Sequence, residues 1–465
     1  MRALWMWLVV FRVANSLIVG TYHNPDEFWQ GPEVAHWLVY GRGHLTWEWQ
    51  PDAQLRSFVH PALLAAPVWV LSVLGLDTWW RVATVPRVMQ ALFAATGDAA
   101  LVQAATRWFG VRTGWWTLWG LLTCWFAFYA GVRTYADSFA ASGTCVALWF
   151  LADAMPWVKR RRETLLWPGW GLAALVCVVR PPCTLLWAVV AVEVVHSSPN
   201  PWRVAVHGGV VTGGVIAACC ALDSYLYGGL VFPALNFARF NSGAAPGALF
   251  GEHPPWYYAV MLPAVVWAMA LPATVAVLRR LPGCRAIATA VAVYIGALSF
   301  IPHKEERFCL PVVPLCLLLA ACQLATMPRV HKVFTAAVAL PCIVAAGYLS
   351  VLHQGGVIAA TNHLAATIAS HPAPATLSVD FLLPCHSTPA TSTIHVDVPL
   401  WFPDCSPVNR QSTEPCESDA LQEDFVGFVD RRYSVVDLPS HMVVYSAAAA
   451  PGSQALTDLG FQVVR

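Results

Sequence analysis

The sequence predicts an all-α polytopic membrane protein, with about 11–13 transmembrane helices sized to a ~30 Å hydrocarbon core and a small α/β domain at the C-terminus. Three observations carry that prediction. Hydrophobic residues make up 57% of the 465-residue chain and charged residues 11%, well under the roughly 25% charge of soluble domains. Apolar segments recur from residue 4 to residue 351, separated by short polar or basic stretches. After Ser350 the composition turns to Pro, Ser, Thr, Asp and Val. The 23 Trp and 12 Tyr suit many membrane–water interfaces, where amphipathic rings settle at headgroup depth. A formal net charge of +1 argues against nucleic acid as a partner.

Taken in order, the first segment, 4–20, is apolar except for Arg12, Asn15 and Ser16. No small-x-small cleavage site follows it, so it reads as a retained span rather than a signal peptide. Residues 21–57 form a first loop, rich in aromatic and polar residues, on one side of the bilayer. Further spans are expected at 58–76, 82–106, 115–131, 136–155, 163–179, 181–197, 203–222, 256–278, 284–302, 307–326 and 331–351. Several fall near or below the ~20 residues needed to cross, and so are tilted, broken or re-entrant. The basic clusters Lys159-Arg160-Arg161-Arg162, Arg279-Arg280 with Arg285, and Arg329 with Lys332 orient the array with these turns in the cytosol. The first loop, the turn at 303–307 and everything after 352 then face the lumen. Four spans between 58 and 155 break that alternation, so one of the four is re-entrant or not a span.

The chain therefore divides into a multi-spanning domain, 1–352, and a lumenal domain, 353–465. Alternating runs at 376–382 and 441–445 in the latter predict short strands. Its cysteines Cys385, Cys405 and Cys416 lie in an oxidising compartment under this orientation. A Cys385–Cys405 bridge is one pairing, and three cysteines leave one over.

Chemistry concentrates in four places. Asp26 and Glu27 follow Pro25 where the first apolar segment stops. A carboxylate at a bilayer surface beside Phe28 and Trp29 can serve as a general base. The competing reading is a helix cap, with the acids at the start of an interfacial helix running from Glu27 to Tyr40. Trp29 and Gln30, next in line, are candidates for contacting substrate. The turn His303-Lys304-Glu305-Glu306-Arg307 gathers cations that can hold a phosphate, Lys304 and Arg307 foremost. Glu305 or Glu306 is the alternative partner for them. Arg180, followed by Pro181 and Pro182, and Arg56 sit at membrane edges, where an arginine costs ~3 kcal/mol on insertion scales and so points to function, with snorkelling to the headgroups as the competing reading. His253 leads the aromatic cluster Trp256-Tyr257-Tyr258, which suits a sugar face or an interfacial belt. No His-x-x-x-His or Asp-x-Asp spacing calls for a metal, so no metal or cofactor is expected.

The segments Asn24-Pro25-Asp26-Glu27-Phe28-Trp29-Gln30, Leu45-Thr46-Trp47-Glu48-Trp49, Leu55-Arg56-Ser57-Phe58, Arg180-Pro181-Pro182, Gly251-Glu252-His253-Pro254 and His303-Lys304-Glu305-Glu306-Arg307-Phe308 together resemble the dolichyl-phosphate-mannose-dependent mannosyltransferases of the endoplasmic reticulum. Leu45 to Trp49 with Pro384-Cys385-His386-Ser387-Thr388-Pro389 narrows the resemblance to the branch that adds the third mannose of the GPI-anchor core. Glu306 stands where that family usually has an aromatic residue, and Phe28 where it usually has Tyr or His. The resemblance implies the multi-spanning GT-C fold and an endoplasmic reticulum membrane location with a lumenal active site. It also implies a lipid-linked donor, dolichyl phosphate mannose, and a GPI-precursor acceptor. β-Linked donor and α-linked product imply inversion with one base: Asp26, with Glu27 orienting it or serving instead. Arg56, Arg180, His303, Lys304 or Arg307 would stabilise the departing phosphate. Three rivals remain: a sister mannosyltransferase for the fourth GPI mannose or an N-glycan precursor, a transporter or lipid scramblase, and a binding-only subunit. The absence of internal symmetry weighs against the second, and the presence of both acids and cations against the third.

Overall fold

The computed structural model describes residues 2–155, 157–158, 166–242, 251–281, 283–406, 416–445 and 454–462. The basic cluster Lys159 to Arg162 lies outside the described residues.

Helix α1, Arg2–Ile18, exposes Trp5, Met6, Trp7, Val10 and Leu17 and buries its polar residues Arg12, Asn15 and Ser16. Arg12 donates to Asp98 at 2.7 Å and to the Ala127 carbonyl at 3.0 Å. A charge inside an apolar span is tolerated because it faces a partner in the bundle rather than lipid.

The first loop folds as two helices rather than one: α2, Asp26–Trp29, and α3, Pro32–Tyr40. The single helix expected from Glu27 to Tyr40 is broken at Gly31. A Cβ on Gly31 would stand 2.9 Å from the Thr134 carbonyl oxygen, so the chain passes too close to its neighbour for a side chain. Pro32 then opens α3 at the position where a missing N–H does no harm.

Helix α4, Val59–Val73, settles the broken alternation. Before its N-terminus, the Phe58 N–H donates to Asp223 at 2.8 Å. Beyond its C-terminus, Asp77 accepts from the Tyr40 hydroxyl at 3.0 Å. Both ends of α4 thus lie with the first loop, and the expected span 58–76 is an interfacial helix whose outer side shows Trp69, Val70 and Val73.

The remaining passes alternate in direction. Helix α5 runs Trp79–Phe109, and α6, Val111–Thr123, with α7, Trp125–Tyr129, returns to the end that carries the first loop. Then follow α8, Ala136–Phe150; α9, Leu166–Val179; α10, Cys183–Ser197; and α11, Pro201–Tyr227. After α12, Pro233–Ser242, come α13, Tyr257–Val266, and α14, Ala270–Leu278, as one bent pass. Helices α15, Cys284–Ser299, and α16, Val313–Thr326, precede α17, Arg329–Val338, and α18, Leu340–Val351. By length and composition, five helical stretches among the described residues are long and apolar enough to cross a membrane, and shorter apolar helices accompany them. This is a multi-pass membrane protein. Helix α16 is apolar all round and buried along almost its whole length, as the central helix of a bundle must be.

One end of the bundle gathers the polar loops. The Gly20 N–H donates to the Ser350 carbonyl at 2.9 Å, and the His253 N–H to the Pro302 carbonyl at 3.1 Å. Beyond α18, helix α19, Gly355–Ser370, leads to strands β1, Val379–Leu382, and β2, Leu400–Trp401, and finally β3, His441–Val444. The strands form a parallel sheet in the order β2-β1-β3. Central β1 is buried on both faces, as parallel strands are. The four-residue helix α20, Thr391–Ile394, ties this unit to the first loop. There the Ala390 and Ser392 N–H groups and the Ser392 hydroxyl all donate to buried Glu33.

Candidate active site

Helix geometry separates the two adjacent carboxylates. Consecutive helical residues point about 100° apart at 3.6 residues per turn, so Asp26 and Glu27 of α2 cannot face one space. Glu27 is fully buried and binds Arg133 at 2.6 Å and Arg87 at 3.3 Å. Asp26 faces a cavity of about 600 Å³ and binds Arg307 at 2.6 Å. Trp29, three residues on, shares the Asp26 side of the helix and also lines the cavity.

The turn at residues 303–307 is clasped onto this loop by three successive pairs. His23 Nε2 meets Glu306 at 2.7 Å, Asn24 donates to Glu305 at 2.9 Å, and Arg307 donates to Asp26. Tyr135 fixes the ring of His23 from the other side at 2.8 Å. Burial raises the affinity of Glu305 for a proton, but the Arg307 guanidinium and His303 outweigh it and hold the carboxyl well below the usual range. Glu306 is likewise lowered, its burial outweighed by His23.

The expected cations have different occupations. Arg307 forks onto Glu305 at 2.6 and 2.7 Å as well as onto Asp26. Arg180 pairs with Asp137 at 2.6 Å and lies over the Phe308 ring at 4.4 Å. Arg56 pairs with Glu48, which also accepts from Gln30 at 3.0 Å. Burial nonetheless leaves Glu48 raised, ahead of the lowering by Arg56. His303 binds Glu305 at 2.9 Å. Lys304 alone in this group contacts only carbonyls, donating to His253 O at 2.8 Å, with no carboxylate in ion-pair reach among the described residues. Arg56, Arg180, His253, His303, Lys304 and Arg307 all line the cavity. Gln30 does not, and touches the lining only through its hydrogen bond to Glu48.

The opposite wall belongs to the C-terminal unit. Trp29 donates to the Thr388 carbonyl at 3.0 Å and packs edge-on against His386 at 4.5 Å. Of the pairings that three cysteines leave open, the structure forms Cys385–Cys405, and Cys385, His386 and Cys405 line the cavity. Among the described residues these three form the one grouping that could hold a metal ion, but joined to each other the two sulfurs are not thiolate ligands.

Sequence reasoning missed Asp137, which stands between Arg180 at 2.6 Å and Arg307 at 3.6 Å, and Arg133, the partner of Glu27. The signal was available, since an ionisable residue heading an apolar run marks a partner inside the bundle.

The Alg9-like mannosyltransferase family model matches residues 3–395. GPI mannosyltransferase 3 of Yarrowia lipolytica is 33% identical over 98% of this chain and 91% of its own length. GPI mannosyltransferase 3 of Drosophila melanogaster is 32% identical over 97% of this chain and 81% of its own. Among solved structures, ArnT from Cupriavidus metallidurans bound to undecaprenyl phosphate superposes with a TM-score of 0.64 at 14% identity, covering 86% of this chain and 85% of that one. That likeness carries the polytopic GT-C architecture. With the family model extending over most of the chain and the two relatives over almost all of it, this protein belongs to the Alg9-like mannosyltransferase family.

Proposed function

We propose that the chain transfers the third, α1,2-linked mannose from dolichyl phosphate mannose to the lipid-linked GPI precursor, with the site end of the bundle in the lumen of the endoplasmic reticulum. The relatives named GPI mannosyltransferase 3 support the choice of reaction. The observation that carries the mechanism is that Asp26, not Glu27, shares one cavity with Lys304 and Arg180.

The acceptor 2-hydroxyl attacks the anomeric carbon, the carbon–oxygen bond to phosphate breaks, and dolichyl phosphate departs with the electron pair. Asp26 takes the hydroxyl proton. Lys304, which has no carboxylate in ion-pair reach among the described residues, and Arg180 stabilise the negative charge that develops on the leaving phosphate. Arg307 holds Asp26 in place, and Glu27 anchors α2 through Arg133. Dolichyl phosphate, released from the phosphodiester donor, is already a good leaving group, so fixed cations serve without a metal, and transfer should persist in chelator. Apolar grooves between passes would receive the two lipid tails.

Expression in cells stalled after two GPI mannoses, followed by analysis of the accumulated lipid, tests the reading. Restoration of the third mannose by the wild-type chain and not by Asp26→Asn is expected. Elongation of a different acceptor would instead place the chain with a sister enzyme.

A further inference from the structure

The parallel sheet points its strands at the cavity. Cys385 and His386 follow the carboxyl end of β1, and Cys405 follows that of β2. Ligands of open parallel sheets bind outside the carboxyl ends of the strands, and here the disulfide joins those two ends in the lining of the cavity. The backbone of this edge is pinned to the acidic loop, because the Tyr22 hydroxyl donates to the His386 carbonyl at 3.1 Å and Trp29 donates to the Thr388 carbonyl. His386 Nδ1 lies 3.6 Å from Cys405 Sγ, and Nε2 has no partner among the described residues.

The cavity therefore has two chemically different walls on either side of Asp26. Through Arg307, Asp26 reaches the wall of cations. Trp29, on the same side of α2, reaches the wall of His386 and the disulfide. In an inverting displacement the base stands by the incoming hydroxyl, across the sugar from the leaving phosphate. If the cations hold the phosphate, the acceptor must enter along the second wall. The residues that line that wall, Trp29, Cys385, His386 and Cys405, are uncharged, with Asp404 acting on His386 from beside Cys405, and they offer an indole, an imidazole edge and a disulfide, a surface suited to the apolar face and hydroxyls of a neutral hexose.

We propose that the carboxyl edge of β1 and β2, clamped by the Cys385–Cys405 disulfide, is the subsite for the mannose-terminated glycan of the acceptor, with His386 and Trp29 as its specificity-determining contacts. This rests on the mannosyltransferase reading above. Its corollary is that acceptor recognition, and not donor recognition, depends on an intact disulfide.

The test uses the full chain in nanodiscs, with a synthetic dimannosyl-glucosaminyl-inositol glycan and dolichyl phosphate mannose as separate ligands. Affinities are measured for the wild type, the wild type treated with dithiothreitol, Cys385→Ala/Cys405→Ala and His386→Gln. A loss of about tenfold in glycan affinity, and the same rise in acceptor KM, is expected when hydroxyl partners are removed or displaced. Donor affinity should stay within about twofold, which also reports that each variant is folded. The conservative His386→Gln covers the case in which the cysteine variants fail to fold. Unchanged glycan affinity in reduced protein and in His386→Gln, or a loss of donor affinity instead, overturns the subsite while leaving the reaction in place. A wild-type chain that binds neither ligand overturns both.

Discussion

Exchanging the charge on each of the two adjacent acids should give opposite phenotypes. In Glu27→Gln, Arg133, itself fully buried, loses its 2.6 Å carboxylate partner. Its N–H groups keep the Thr21 carbonyl at 2.7 Å, the Thr21 hydroxyl at 2.9 Å and the Tyr129 carbonyl at 3.0 Å. The cation stays hydrogen-bonded but uncompensated, which puts the loss at the low end of the ~3–5 kcal/mol for breaking a buried pair, about 3 kcal/mol. Asp26→Asn leaves Arg307 with two bonds to Glu305, and Asp26 is partly exposed, so the stability change should stay under about 1 kcal/mol. Loss of a general base should instead lower turnover by ~10²–10⁴. Thermal unfolding of detergent-purified protein by tryptophan fluorescence, and mannose transfer in microsomes scaled to folded protein, separate the two. Normal melting with abolished transfer in Glu27→Gln, alongside normal transfer in Asp26→Asn, would refute the assignment.

Gly31→Ala should destabilise by ~1–3 kcal/mol, because the new Cβ meets the Thr134 carbonyl at 2.9 Å and Leu64 at 3.2 Å in a packed site; equal melting temperatures would contradict the close approach. A double-mutant cycle on His23→Phe and Glu306→Phe should return a coupling of ~0.5–1.5 kcal/mol, and additive losses would mean that the 2.7 Å contact contributes nothing. Burial pushes the His386 imidazole down from 6.5 to about 4, so the unfolded chain binds the extra proton. Stability from this group is therefore fully present above pH 6.5 and is lost as pH falls toward about 4, by up to ~3 kcal/mol at 1.36 kcal/mol per unit. Limited proteolysis of the C-terminal unit between pH 7 and 5 should accelerate, less so in His386→Gln, and a flat profile would dispose of the idea. Arg307→Lys keeps the charge but not the fork that holds Asp26 and Glu305 together; a fall in kcat exceeding about tenfold with donor KM little changed is expected, and a selective rise in donor KM would make Arg307 a phosphate ligand after all.

The sequence was informative where one residue type answers to one constraint. Polarity distribution revealed the passes, and Arg180 before two prolines marked a real helix break, between α9 and α10. It was silent where pairing across the fold decides. Apolar composition alone does not distinguish α4 from a crossing helix, because an interfacial helix also buries one side and greases the other. Only Asp223 at one end and Tyr40 at the other reveal that both ends return to the same side. The order Asp26-Glu27 likewise says nothing of which acid faces the cavity, since that depends on the rotation of α2 against Arg133, more than a hundred residues away.

The three-pair clasp between residues 23–26 and 305–307 explains why acids and cations can share a site without cancelling it. Were Arg307 to bind phosphate directly, its departure from Asp26 would leave two carboxylates, Asp26 and Glu305, facing an incoming anion. Held as it is, the Asp26–Arg307–Glu305 array carries one excess negative charge, and Asp137 behind it is matched by Arg180. Under the proposed reading Lys304 is then, among the described cations of the cavity, the one that a phosphate can bond without breaking an ion pair, while Arg180 acts on it from its pair with Asp137. The clasp ties Asp26 to the turn that carries Lys304, so under the proposed reading the separation of base and phosphate site is set before either lipid arrives, which is the positioning an in-line displacement requires.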